Sequence, residues 1–302
     1  MINCCENLAL AGGGIWGIAY SGVFKEMQDL GTLPQLKRVA GTSAGSIVGL
    51  MAALGYKPDE ILAILPEIDY TRFLDGGSVR NVPRRYGYYK GDYVLSLLRL
   101  FVKERLSDQA ATFADLQEAG GMDLRVFATN LNTRRIHEFS CRHTPHVALA
   151  NAVRASMSIP LFFEAVQIDG NIFIDGGAVF DYPIMGFGEE GLDETLGIAF
   201  ARSLVTPAAQ ASDLEFDFNK PLQYFQRVVE ALKTVQSPNF ILNNKLRQQT
   251  ILIDTGEINS FKFDVSQDEK DFLVQRGREA VRAYYRAEVV TGGAEDFPLR
   301  SK

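Results

Sequence analysis

Arg38-Val39-Ala40-Gly41-Thr42-Ser43-Ala44-Gly45-Ser46-Ile47-Val48-Gly49-Leu50-Met51 is the stretch on which the reading of this 302-residue chain turns. Leu36 to Ala40 is a short apolar run suited to a strand. From Ala44, the residues Ile47, Leu50, Met51 and Leu54 recur at helical spacing until Gly55 and Pro58 stop the helix. Between the two lies Gly41-Thr42-Ser43-Ala44-Gly45, a G-x-S-x-G turn in the strand-to-helix setting that motif requires. A serine in so sharp a turn takes a strained backbone conformation, and glycines two residues to either side leave room for the chain to fold back on itself. Its hydroxyl then stands at the positive end of the following helix. Ser43 is therefore the candidate nucleophile; the plainer alternative is a helix N-cap whose glycines serve only close packing.

Upstream, Leu8 to Ala11 reads as a first strand and Ile18 to Leu30 as an amphipathic helix, joined by Gly12-Gly13-Gly14-Ile15-Trp16-Gly17. Gly12, Gly14 and Gly17 satisfy G-x-G-x-x-G, so a dinucleotide loop has to be weighed. Such a site wants a carboxylate about 20 positions later, at the end of the second strand. That strand instead runs into Arg38-Val39-Ala40-Gly41-Thr42-Ser43, with no acid at its end. The better reading is that the glycine-rich amides of Gly12, Gly13 and Gly14 receive an oxyanion, where losing one donor typically costs about 3 kcal/mol of transition-state stabilisation.

A nucleophilic serine needs a base. The three histidines are His137, in an expected strand, and His143 and His146, in a turn and at a helix start. None follows a well-placed acid in the Ser, Asp, His order of α/β-hydrolases; a triad with His143 or His146 in an unrelated order is the alternative to an aspartate acting directly. Three Asp-Gly steps compete for that role. Asp169-Gly170-Asn171 reads as a hairpin turn between Ala165 to Ile168 and Ile172 to Ile174, and Asp75 reads as part of a surface loop. Asp175, followed by Gly176 and Gly177, ends a strand, where α/β proteins place their sites, and is preferred.

Further strands are expected at Leu124 to Thr129, Ile136 to Ser140, Thr195 to Phe200 and Thr250 to Asp254, with helices from His146 to Ser156, from Leu222 to Val235 and after Ser266, where Ser266 and Glu269 form a capping box. Leu204 to Asn219 is the expected mobile loop. Apolar strands alternating with helices indicate an α/β fold with a mostly parallel central sheet, and no linker or repeat divides residues 1–302, so one domain is expected. At 46% hydrophobic and 23% charged, the chain can bury a large core.

The net charge of −6 disfavours a nucleic-acid coat, yet it averages unlike parts. Residues 71–106 carry eight basic and three acidic residues, a local +5 that leaves −11 on the rest. Tyrosines and leucines interleave those cations, so the segment suits peripheral docking on anionic lipid, or else forms a solvated helix face over a core stripe. Three cysteines make no disulfide framework, and Cys141, His143 and His146 lack a fourth ligand for zinc, so no metal is expected. Met1 to Asn7 contains Glu6 and no Lys or Arg, hence no secretory signal, and the uncharged runs 8–24 and 39–56 are too rich in glycine for membrane spans. A cytoplasmic location is expected.

Together, the loop Gly12 to Gly17, the elbow Gly41 to Gly45, and Arg154-Ala155-Ser156-Met157-Ser158-Ile159-Pro160 leading to Asp175-Gly176-Gly177 and Tyr182-Pro183 resemble the patatin-like phospholipases, bacterial-type lipid acyl hydrolases. The blocks fall in the family's order over about residues 6–190, and residues 191–302 would complete the same domain. The resemblance implies a three-layer α/β/α fold and a Ser43/Asp175 dyad with an oxyanion hole at Gly12 to Gly14. It also implies catalysis without metal, cofactor or histidine, on a lipid or other acyl-ester substrate. Trp16 stands where the family usually carries Lys or Arg.

Overall fold

A computed structural model describes residues 5–33, 36–204 and 243–290. The expected helix Leu222 to Val235 and the expected loop after Leu204 lie outside these residues. Among those described, five strands run parallel in the order β10 (Thr250–Ile253), β9 (Thr195–Phe200), β1 (Asn7–Leu10), β2 (Arg38–Thr42), β4 (Asp123–Asn130). β5 (Arg135–Phe139) and β8 (Asn171–Asp175) pair antiparallel with β4, and β7 (Val166–Ile168) forms a hairpin with β8 through Asp169 and Gly170, both at positive φ. Gly87–Tyr89 (β3) and Leu161–Phe163 (β6) make a separate two-stranded sheet that the sequence reading did not contain.

The parallel strands β1, β2, β9 and β10 are buried on both faces, so they read as largely unbroken apolar runs rather than alternating ones. Leu8 and Leu10 point into the main core with Val39 and Val126, while Ala9 and Ala11 face the opposite side against Tyr182, Ile184 and Leu246. The main core is covered by α1 (Ala19–Asp29), α2 (Ala44–Ala53) and the helix Leu149–Ser156, and the long helix Gln267–Val290 packs on α1. That last contact is close: a Cβ on Gly22 would lie 1.9 Å from the Val274 carbonyl oxygen, and one on Gly277 2.1 Å from that of Ala19. Beside it, buried Glu26 accepts hydrogen bonds from Arg282 and Arg278. The capping box forms as expected, with Ser266 and Glu269 each binding the other's backbone amide.

The path of β4 brings the site together. β5 pairs with Val126 to Asn130 along one edge, so both β2 and β8 must use the other. β2 runs along that edge as far as Thr42 opposite Phe127, and β8 comes from the other direction to end with Asp175 opposite Ala128. Two strands thus meet head to head, and the residues at their tips, Ser43 and Asp175, are delivered to one point.

Candidate active site

Ser43 sits in the elbow between β2 and α2 with φ +50° and ψ −123°, a conformation disfavoured for any residue with a side chain. The turn closes because its neighbours lack Cβ atoms. One on Gly45 would lie 2.3 Å from the Leu10 carbonyl oxygen, and one on Gly41 2.5 Å from that of Gly45. Gly17 similarly leaves room for Ala44, and Gly176 for the Phe127 carbonyl. Ser43 and Asp175 are each 5% exposed, and the Ser43 hydroxyl donates to Asp175 Oδ2 at 2.7 Å. The other carboxylate oxygen accepts from the Gly177 amide at 2.6 Å, so the second glycine of Asp-Gly-Gly orients the acid.

Three residues absent from the sequence-level candidate set support this pair. Ser156 bridges the gap where the two strand tips meet: its hydroxyl accepts from the Ser43 amide at 2.9 Å and donates to the Phe127 carbonyl at 2.6 Å. Ser158 accepts the Asp175 amide on its carbonyl at 2.8 Å. Arg154, 4% exposed, donates to Ser158 Oγ at 2.5 Å and also to the carbonyls of Lys90, Gly91 and Glu164. Burial pushes its pKa down to about 10, which still leaves it protonated at neutral pH. The serines and the arginine lie in the stretch that carried the resemblance, but their hydrogen-bonding roles depend on partners remote in sequence.

In the glycine-rich loop the expectation for Gly12 is corrected. Its amide donates to the Asp181 carbonyl at 2.8 Å and is therefore occupied, while its bare Cα lets Ser43 and the Asp181 side chain approach. The amides of Gly13 and Gly14 make no hydrogen bond among the described residues, and Gly14 has φ +56°. The loop is anchored by Ile15, whose amide donates to the Ser260 carbonyl, and by Trp16, whose Nε1 donates to the Ile258 carbonyl at 2.8 Å. Trp16 packs on Phe200 and is a core residue.

A narrow cavity of about 50 Å³ starts at Gly14 and Ala44, next to the candidate nucleophile, and is walled by apolar and aromatic side chains including Leu65, Phe73, Leu98 and Phe163. Asp75 is not a free surface loop residue. Its carboxylate accepts from the amides of Gly91 and Tyr93 at 2.6 and 2.7 Å and so caps the helix Asp92–Leu106, one wall of the cavity. The histidines sit elsewhere: His137 packs against the Phe139 and Phe173 rings, with its pKa lowered by burial, and His143 lies 3.9 Å from Glu138.

The family model for patatin-like phospholipase matches residues 8–187, which takes in both strand tips, the glycine loop and the elbow. The chain belongs to the patatin-like phospholipase family. An uncharacterized protein of Acanthamoeba polyphaga mimivirus is 30% identical over 284 residues, covering 92% of each chain. A cUMP-AMP-activated phospholipase of Escherichia coli is 32% identical over 203 residues, 61% of this chain and 58% of that protein. Among solved structures, VipD of Legionella pneumophila superposes with a TM-score of 0.66 at 18% identity, over 93% of this chain and 67% of that one. In this patatin-like protein no described helix is long and apolar enough to cross a membrane.

Proposed function

We propose that this patatin-like protein is a lipid acyl hydrolase, one catalytic domain working through a Ser43/Asp175 dyad. The observation that carries the proposal is the 2.7 Å hydrogen bond from a strained, buried Ser43 hydroxyl to an aspartate whose other oxygen is already held. As Ser43 Oγ attacks the ester carbonyl, its proton passes to Asp175 Oδ2 and the carbonyl oxygen becomes an oxyanion held by the Gly13 and Gly14 amides. Collapse of the tetrahedral intermediate breaks the ester C–O bond, and the leaving alkoxide takes the proton from Asp175. Water then attacks the acyl-enzyme, giving its proton to Asp175, and Ser43 recovers that proton as the carboxylic acid departs.

The apolar cavity beside the nucleophile favours a hydrocarbon acyl chain over a polar one. A fluorophosphonate probe should label the native chain and leave Ser43→Ala unlabelled, and Ser43→Ala should lose on the order of a million-fold in turnover of a phospholipid or short-chain p-nitrophenyl ester. Full ester hydrolysis by Ser43→Ala would refute the dyad. Hydrolysis of the soluble ester with no activity on any phospholipid, lysophospholipid or monoacylglycerol would keep the dyad but replace the lipid substrate with a soluble acyl ester or thioester.

A further inference from the structure

The local +5 of residues 71–106 is distributed unevenly in three dimensions. Within the helix Asp92–Leu106, Val94, Leu98, Phe101 and Val102 are buried, so one face of this helix belongs to the core. Arg105 binds Glu60 and lies over the Tyr56 ring, and Arg72 lies over the Tyr93 ring. Those cations are committed to the protein's own surface.

Residues 79–86 are different. The loop that carries them is tied at its base, where Ser78 donates its amide to the Tyr88 carbonyl and the Asn81 side chain donates to the same oxygen, so the residues between form a compact projection. Its outer residues are Val79, 72% exposed, Arg80, Pro83, Arg84, Arg85, and Tyr86, 53% exposed and at φ +64°. Among the described residues Arg80 and Arg84 have no carboxylate within ion-pair distance, and Arg85 reaches Glu164 only at 3.4 Å with most of its side chain in solvent. From Gly76 to Gly91 the chain contains four basic residues and no acid. Exposed apolar side chains set among arginines match a surface that is negative outside and hydrocarbon beneath.

The projection also has a place relative to the site. The Arg85 carbonyl accepts from the Ala165 amide, and β3, which follows directly, pairs with β6, whose Phe163 lines the apolar cavity. We infer that residues 79–86 are the docking surface by which this protein seats on an anionic lipid bilayer, with Val79 and Tyr86 entering the headgroup region and Arg80, Arg84 and Arg85 meeting the lipid phosphates. This rests on the lipid reading of the site for its purpose but not for its test.

Binding is measured by vesicle co-sedimentation in the Ser43→Ala background, so that hydrolysis plays no part. The vesicles are pure phosphatidylcholine and a mixture of phosphatidylcholine with phosphatidylglycerol. Anionic vesicles should be bound far more tightly, and added salt should weaken that binding. Each arginine near the surface is expected to contribute about fivefold, so Arg80→Gln, Arg84→Gln and Arg85→Gln together should lower the partition coefficient on the order of a hundredfold. Val79→Gln with Tyr86→Gln should lower the residual binding at high salt. Thermal melting checks that these exposed substitutions leave the fold intact. Equal binding to the two vesicle types, or unchanged binding by the triple variant, overturns the proposal. Binding of dextran sulfate as tight as that of anionic vesicles and indifferent to Val79 and Tyr86 also overturns it, in favour of a general polyanion site. If the chain binds anionic vesicles through this loop yet cleaves no lipid, the docking surface stands and the hydrolase reading falls.

Discussion

Around Ser43 the chain touches itself backbone to backbone, whereas residues 57–106, which supply one wall of the cavity, are held largely by rings, cations and the capping carboxylates of Glu60, Asp69 and Asp75. In the first region, at Gly45, Gly41 and Gly176, the nearest neighbours of the absent Cβ atoms are the carbonyl oxygens of Leu10, Gly45 and Phe127, which cannot move aside. In the second, Phe73 leans on Tyr93 and Phe263, Tyr89 on Phe162, and Arg72 and Arg105 cover tyrosine faces. Backbone contacts tolerate almost no displacement, while ring and cation contacts are individually worth about 1 kcal/mol and can be exchanged for others. On the proposed function, a site that holds two side chains 2.7 Å apart and also admits an acyl chain needs both kinds of material.

The sharpest way to break this comparison is at a glycine. Gly45→Ala would set a Cβ against the carbonyl oxygens of Leu10 and Ala11 at 2.3 and 2.7 Å and should lower stability by about 3 kcal/mol or more in urea titration. Gly55→Ala, at φ +79° but with open space around its Cα, should lose only about 1 kcal/mol. Equal losses at the two positions would mean that the close contacts of the elbow are not what holds it.

Arg154 is where the two regions join, since one guanidinium binds Lys90 and Gly91 of the wall and Ser158, which holds the Asp175 amide. Arg154→Met leaves these buried acceptors without a donor and should lose about 3 kcal/mol. Arg154→Lys keeps the charge but not the planar fork, and should lose less stability while still lowering kcat severalfold with little change in KM. That split identifies a positioning residue; a purely structural one would leave kcat of the folded fraction intact.

How much of this was legible in the sequence follows the same division. The elbow, the glycine loop and Asp175 could be read because strained turns and backbone contacts admit few residue types, and those types are glycine, serine and aspartate at fixed spacing. β9 was expected at Thr195 to Phe200 and forms there, because an unbroken apolar run leaves no other choice. β2 was expected to stop at Ala40 yet continues through Gly41 and Thr42, because its ladder with β4 outweighs the weak strand preference of glycine. The helix expected from His146 starts only at Leu149, after Ala148 has bridged to Thr112. Occupation of the Gly12 amide by Asp181 depends on a residue 169 positions away, and β3 with β6 on a pairing across 74, neither visible in local pattern.

A smaller effect is expected where Glu26 of α1 meets Arg278 and Arg282 of the helix Gln267–Val290. Glu26 is held below the usual glutamate range by hydrogen bonds from Arg282 and then Arg278. A lowered folded-state pKa means that this stabilisation is present above the ordinary glutamate value of 4.5 and is lost as pH falls below it. Glu26→Gln should lower stability at pH 7 by about 2 kcal/mol, and this difference from the native chain should shrink in urea titrations carried out below pH 4.5. A difference independent of pH would show that Glu26 acts by shape and not by charge.

The smallest expected effect is at Asp75, the aspartate that competes with Asp175 on sequence pattern alone. Both precede two glycines and both spend their carboxylates on backbone amides, but Asp175 gives one oxygen to Gly177 and keeps the other for Ser43, whereas Asp75 gives both to Gly91 and Tyr93. Asp75→Ala should therefore behave as the loss of a helix cap, about 1 to 2 kcal/mol of stability, with faster amide hydrogen exchange at Gly91 and Tyr93. Because the capped helix walls the cavity, KM for a long-chain ester should change more than kcat, and fluorophosphonate labelling of Ser43 should persist. Asp175→Asn should do the reverse, cutting kcat by about 100-fold or more at little loss of stability. If the two substitutions exchanged these signatures, the base would be Asp75, and the head-to-head meeting of β2 and β8 would be a feature of the fold without a part in the chemistry.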